Sequence, residues 1–269
     1  MRYTNTLSTL LLSILLFSGC KEESSSTSVA TEVASSTPKT QPMKKKTSTL
    51  TLDYCMGKFD QKVDNRFELI TEPYATRQGM YLRAEAYEAY KKMYAAALAD
   101  GVQLIIRSAT RNFDYQRRIW ENKWTGRTIL SDGVNAATDI PSDKSRAYKI
   151  LDYSAMPGAS RHHWGTVIDI NSFNNAYFDY GKGLKVYTWM VAHGHEYGYC
   201  QPYTPKSTGR PGYNEEKWHW SYTPLSTEMT GYVAEHLTDN HFEGFLGHET
   251  AKDIGVVEKY VLGIDDKCK

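Results

Sequence analysis

Asp169 stands in the run Thr166-Val167-Ile168-Asp169-Ile170, which reads as a buried strand. A carboxylate in such a strand is costly to bury unless it is paired or binds a metal. Any fold of this chain must therefore bring a partner to Asp169. Two nearby segments offer candidates. Upstream is Ser160-Arg161-His162-His163-Trp164-Gly165, and downstream is Glu215-Glu216-Lys217-Trp218-His219-Trp220. In a strand over Trp218–Tyr222, alternation turns His219 to the face opposite Trp218 and Trp220. Glu216, at the start of that strand, is placed to reach a water beside a metal rather than the metal itself. The set supplies what a catalytic zinc needs, three protein ligands and an open position. On the residues alone, a buried His–Asp pair without metal stays open.

The surrounding pattern predicts one domain of class α+β. Apolar residues at helical spacing mark a helix over Leu82–Leu98, through Ala86, Tyr90, Met93, Tyr94 and Ala97, stopped by Asp100-Gly101. Val102–Ile106 reads as a buried strand. A second helix starts after Asn112 and carries Tyr115, Gln116, Ile119 and Trp120. Residues 122–143, rich in Gly, Asp, Thr and Ser, read as a long loop of the kind that is usually functional. Helices are expected over Ser145–Tyr153 and Lys182–Tyr197, the latter ending at Gly198.

Ahead of this domain the composition changes. Leu7–Phe17 is an apolar run too short for a bilayer, which takes roughly 20 residues, but suited to a secretory leader. It ends in Ser18-Gly19-Cys20, which resembles the bacterial lipobox. The resemblance implies a signal peptide over 1–19 and a lipidated Cys20. Lys21-Glu22-Glu23 resembles an export signal for the outer face of the outer membrane. Thirteen of the thirty residues from Lys21 to Leu50 are Ser or Thr, with no aromatic residue. Such a segment buries too little apolar surface to offset its ordering entropy, so 20–50 is read as a tether and 51–269 as the folded domain. The expected location is the cell envelope, lipid-anchored to the outer membrane and facing the periplasm or the surface. Lys+Arg total 32 against 31 Asp+Glu. That balance argues against nucleic-acid binding, which needs a basic surface.

Ser160-x-His162-x-x-Gly165-x-x-x-Asp169, followed by Glu216-x-Trp218-His219, resembles the signature of VanY-like D-alanyl-D-alanine carboxypeptidases. Ser108-x-x-Arg111 with Tyr115-Gln116 matches a third element, and the three occur in the family's order over residues 108–220. The resemblance implies a DD-peptidase/Hedgehog-like domain, a small antiparallel sheet with flanking helices. It implies one zinc ion on His162, Asp169 and His219, with Glu216 as general base. Arg111 and Ser160 would hold the substrate's terminal carboxylate, with Gln116 also at the substrate. The implied activity is removal of the terminal D-Ala from peptidoglycan stem peptides, by a monomer that meets the membrane only through its lipid. Relatives of the fold that cut L,D bonds or cross-links share these motifs, and a zinc-containing wall-binding module is the alternative of another class. Intact Glu216 argues against that module, because a binder needs no base. The chain departs from the family at Val167, where Ala is frequent, and at Lys217, where Pro is frequent.

The remaining histidines fit less well. His193-Gly194-His195-Glu196 reads as a polar helix end, and His248-Glu249 lacks the second histidine of a His-Glu-x-x-His helix. His163, adjoining His162, is expected to point the other way on an extended segment, toward a supporting or solvent role. With Cys20 lipidated, Cys55, Cys200 and Cys268 remain. They allow one bridge and leave one thiol, and Cys200–Cys268 is the favoured pair, tying the C-terminal tail to the body.

Overall fold

The computed structural model describes residues 50–269. The leader and Cys20 lie outside the described residues, as does the tether except for Leu50. Along the described chain run α1 (Leu52–Cys55), β1 (Phe67–Leu69), β2 (Tyr81–Arg83), α2 (Ala84–Ala99), β3 (Ile106–Ser108) and α3 (Phe113–Trp124). There follow α4 (Ala136–Asp139), α5 (Asp143–Ile150), β4 (Val167–Ile170), α6 (Gly181–His193), β5 (Tyr199–Cys200), β6 (His219–Tyr222), α7 (Thr223–His236) and α8 (Ala251–Ile254). Strands β1 and β2 pair antiparallel, and a four-stranded antiparallel sheet has the order β3-β4-β6-β5. The class is α+β, a small antiparallel sheet with flanking helices, as the sequence pattern requires.

Strand alternation sorts the residues of the central pair. Ile168 lies opposite Trp220 and Asp169 opposite His219. Ile168, Ile170, Trp218 and Trp220 join one apolar core together with Ile106 and the buried face of α2. Asp169 and His219, one residue out of phase, turn to the other face of the sheet. There a second core gathers Trp120, Trp124, Trp164, Tyr203 and the C-terminal helices. The apolar alternation thus fixes the register that puts the carboxylate beside the imidazole.

Helix α2 occupies nearly the span its spacing predicts. Tyr87, Tyr90, Met93, Tyr94 and Ala97 are buried along one face. Asn112 caps α3 by accepting from the Tyr115 N–H. Helix α6 passes into a 3-10 turn over Gly194–Tyr197 that ends at Gly198 in the left-handed region, φ 78°.

Three expectations change. The strand anticipated at Val102–Ile106 is observed only at Ile106–Ser108. The Asn171 side chain accepts from the Ile105 N–H and donates to the Gln103 carbonyl, and its own N–H donates to Ile105, so these groups leave the ladder. The loop read over 122–143 is shorter, because α3 runs to Trp124 and Asn135 caps α4. Arg146 holds that stretch against α5 by donating to the Ala136 and Ile140 carbonyls. Helix α5 begins at Asp143, two residues early, on a Ser142 cap.

Cys200 on β5 is joined to Cys268, 68 residues away in sequence, and Cys55 is a buried free thiol. The C-terminal tail packs on the loop after β5: the Asp265 N–H donates to the Pro202 carbonyl at 2.9 Å, and Arg210 donates to the Thr204 and Gly263 carbonyls. That loop leads into Glu216, so the bridge and the tail steady the approach to the site.

Candidate metal centre

His162 is placed by a 3-10 turn over Arg161–Trp164. The Ser160 hydroxyl caps the turn, accepting from the His162 N–H at 3.3 Å. Gly165 ends it with φ 71°, where a Cβ would run into the Phe67 ring, so glycine alone lets the chain pass into β4. Asp169 comes from the middle of β4 and His219 from the start of β6. All three side chains are buried, and one ligand atom from each lies within 4.8 Å of the others.

The hydrogen bonds decide what this cluster lacks. His162 Nδ1 lies 2.7 Å from the Ala109 carbonyl oxygen. A carbonyl can only accept, so Nδ1 carries the proton and donates. Burial, then the Arg111 charge, lowers the His162 pKa and favours the neutral ring. Nε2 is then a bare lone pair, and it sits 3.1 Å from Asp169 Oδ2 without a hydrogen-bond partner. On the other side His219 Nδ1 lies 3.0 Å from Asp169 Oδ1 and 3.4 Å from Glu216 Oε2, while its Nε2 has no partner. Burial likewise pushes His219 down to about 4. Burial disfavours the Asp169 charge, yet the carboxyl stays well below the usual range, and the His219 Nδ1–H is bonded to its Oδ1. A buried negative charge among neutral rings, with a lone pair turned toward it, fits a cation held by His162, Asp169 and His219.

Glu216 is set by the backbone. Its N–H donates to the Tyr203 carbonyl at 2.9 Å, and Gln201 Nε2 donates to its carbonyl at 3.2 Å. Lys217 follows, and its N–H donates to Asn175 Oδ1 at 3.0 Å, a bond a proline could not make. Burial, then the Asp169 charge, raises the Glu216 pKa well above that of an ordinary carboxyl, against Arg111, Lys123 and Arg210. Such a carboxyl is disposed to take a proton.

Arg111 follows β3, and its N–H donates to the His162 carbonyl. Its guanidinium reaches 3.6 Å from Asp169 Oδ2, and Nε is buried without a partner. Arg111, Asp169 and Glu216 line a cleft of about 740 Å3 together with Lys123, Tyr153 and Trp218.

Ser160 and Gln116 do not line this cleft. Ser160 is buried beneath His162 as the cap of its turn. Gln116 is buried too, and its amide donates to the Ala155 carbonyl at 2.8 Å. Both lie behind the cleft, Ser160 in the His162 turn and Gln116 against the Ala155 carbonyl. His163 is likewise not on an extended segment but inside the 3-10 turn, fully buried and shut off from solvent. It donates from Nδ1 to the Arg111 carbonyl at 2.6 Å and accepts at Nε2 from the Gly158 N–H at 3.0 Å. Burial takes its pKa to about 3. His193 pairs with Glu196 at an exposed helix end, as expected of a surface motif. Lys123 was not singled out in the sequence. Its only signal is position, four residues after Ile119 on the same face of α3.

The family model described as "VanY: D-alanyl-D-alanine carboxypeptidase" matches residues 79–225. The chain belongs to the VanY family. The match contains Arg111, His162, Asp169, Glu216 and His219. A D-alanyl-D-alanine carboxypeptidase of Enterococcus faecalis (strain ATCC 700802 / V583) is 27% identical over 140 residues, covering 52% of this chain and 47% of that protein. The chain thus spans about half the length of that curated relative. Among solved structures, VanYB in complex with D-alanine-D-alanine has TM-score 0.46 and 24% identity, covering 64% of this chain and 84% of that one. The LdcB LD-carboxypeptidase has TM-score 0.47 and 20% identity, covering 73% and 79%.

Replacing His163 by Phe leaves the Arg111 carbonyl and the Gly158 N–H without their partner. The expected cost is about 1–3 kcal/mol of stability, read by urea denaturation. Unchanged stability would show that the ring does not hold the Arg111 segment.

Proposed function

We propose that the protein is a zinc-dependent D-alanyl-D-alanine carboxypeptidase that trims peptidoglycan stem peptides. The observation that carries this reading is the His162 lone pair facing the Asp169 carboxylate, with Glu216 and Arg111 turned into the same cleft. A zinc ion held by His162, Asp169 and His219 would supply Lewis acidity, lowering the pKa of water to about 7 and polarising a carbonyl.

The chain's own groups supply the rest. Glu216 takes a proton from the attacking water and passes it to the leaving amine nitrogen as the peptide bond breaks. Its raised pKa suits a group that must first hold that proton and then give it up. Arg111 places a guanidinium where a C-terminal carboxylate enters, and a guanidinium pairs with carboxylate through two donors. The buried Trp218 and the half-exposed Tyr153, ring centroids 6.1 Å apart, form an apolar wall for the small side chain of alanine. The family's activity supports the choice of D-Ala-D-Ala.

Zinc-loaded protein is expected to release D-Ala from a pentapeptide ending in D-Ala-D-Ala and to lose that activity with a chelator. Glu216→Gln is expected to keep zinc and lower kcat about 10²–10⁴-fold, read by D-Ala release and metal content. Full activity in that variant would remove Glu216 as the base. Release of D-Ala only from tetrapeptides would move the enzyme to the L,D class.

The leader-like run before Cys20 supports an envelope lipoprotein in which 20–50 spans from lipid to enzyme. Cys20→Ala is expected to move the protein from the membrane fraction to the soluble one. A variant that stayed with the membrane would contradict the anchor.

A further inference from the structure

Lys123 is a half-buried ammonium in the last turn of α3 that lines the cleft with Arg111 and Glu216. Among the described residues no carboxylate lies within 4.0 Å of its nitrogen, and its one hydrogen bond is to the Ser154 hydroxyl. Long cationic side chains usually keep the head in water, yet burial lowers this pKa, the nearby Arg111 charge adds to the effect, and only Glu216 opposes it. The neighbouring donors are also unspent. Ser154 accepts from Lys123, so its own proton is free to donate. Arg111 has a buried Nε without a partner. Ammonium, hydroxyl and guanidinium therefore present donors to one space, and the natural complement is a group that only accepts, with room for several hydrogen bonds. A carboxylate is such a group.

Resting on the carboxypeptidase reading, we propose that Lys123 and Ser154 complete the subsite for the substrate's C-terminal carboxylate, which Arg111 begins. Two features of the fold serve this arrangement. Gln116, two turns earlier on the same face of α3, donates to the Ala155 carbonyl and so fixes the segment that carries Ser154 beside Lys123. Arg111 also faces Asp169, 3.6 Å away, so part of its charge is offset by that carboxylate, whereas Lys123 has no carboxylate beside it. One residue of extended peptide spans about 3.3–3.6 Å, so a carboxylate one residue beyond the cleaved bond falls within the same cleft, which Arg111, Lys123 and Ser154 all line. Lys123 thereby becomes a specificity-determining residue that distinguishes a free chain end from a continuing peptide.

The test uses full-chain, zinc-loaded protein with Glu216→Gln, which prevents turnover. The probes are a pentapeptide ending in D-Ala-D-Ala and the same peptide with a C-terminal carboxamide, both titrated by calorimetry. The parent is expected to bind the acid about 10–100-fold more tightly than the carboxamide, the usual weight of a lost charged hydrogen bond. Adding Lys123→Met is expected to cut that preference about tenfold, the weight of one charged hydrogen bond, while leaving carboxamide affinity unchanged, which also reports an intact fold. Lys123→Arg is expected to restore most of it. A preference undiminished by Lys123→Met, an equal loss for both peptides, or a parent that binds both alike would overturn the subsite. D-Ala release by the wild type is measured alongside. If the acid preference depends on Lys123 but no peptide is cleaved, the carboxypeptidase reading falls and the subsite stands.

Discussion

Everything in the site depends on one buried carboxylate between two imidazoles. Asp169 lies within 3.1 Å of His162 and 3.0 Å of His219, and the Ala109 carbonyl forces the His162 proton to the far nitrogen. Without that backbone acceptor, His162 could turn a proton toward Asp169 and make an ordinary buried pair. With it, a lone pair faces an anion, and the arrangement asks for a cation. Ala109 is set by its place directly after β3, whose Ser108 pairs with Asp169 across the sheet. The strand that neighbours the carboxylate thus also fixes the tautomer of His162.

The scaffold around this point consists of devices that limit motion. The left-handed Gly165 joins the histidine turn to β4. His163 ties the same turn to Arg111 and Gly158. Glu216 hangs from the Tyr203 backbone, in a loop held by the Cys200–Cys268 bridge and the C-terminal tail. The candidate metal-binding residues, Glu216 and the cationic wall come from separate segments, and the histidine turn, the central strands and Glu216 are fixed by backbone hydrogen bonds. That rigidity suits a site whose chemistry depends on placement.

Much of this was legible in the sequence because it is written in period and spacing. Apolar residues at even positions around Asp169 and His219 determine which face each side chain takes, while the register that sets the two opposite each other is seen only in the sheet. Helix α2 follows from its 3.6-residue period, whereas three cysteines leave the pairing open and only the structure joins the favoured pair, Cys200 and Cys268. What was not legible depends on contacts between distant segments. The loss of strand at Val102–Ile105 comes from Asn171, some 66 positions later. Ser160 and Gln116 occupy motif positions yet face backbone rather than cleft, since a motif records spacing and not direction. The 3-10 turn that buries His163, set by the Ser160 cap and Gly165, leaves no periodic trace in four residues. Lys123 carries no motif, and its meaning emerges only when α3 and the turn after α5 meet.

The central claim is that His162, Asp169 and His219 together hold zinc. An X-ray absorption spectrum of the zinc-loaded protein, compared with Asp169→Asn, tests it most directly. The account predicts two imidazole nitrogens and a carboxylate oxygen around zinc, with loss of that coordination in the variant. A sulfur-containing shell, or a shell unchanged by Asp169→Asn, would contradict it.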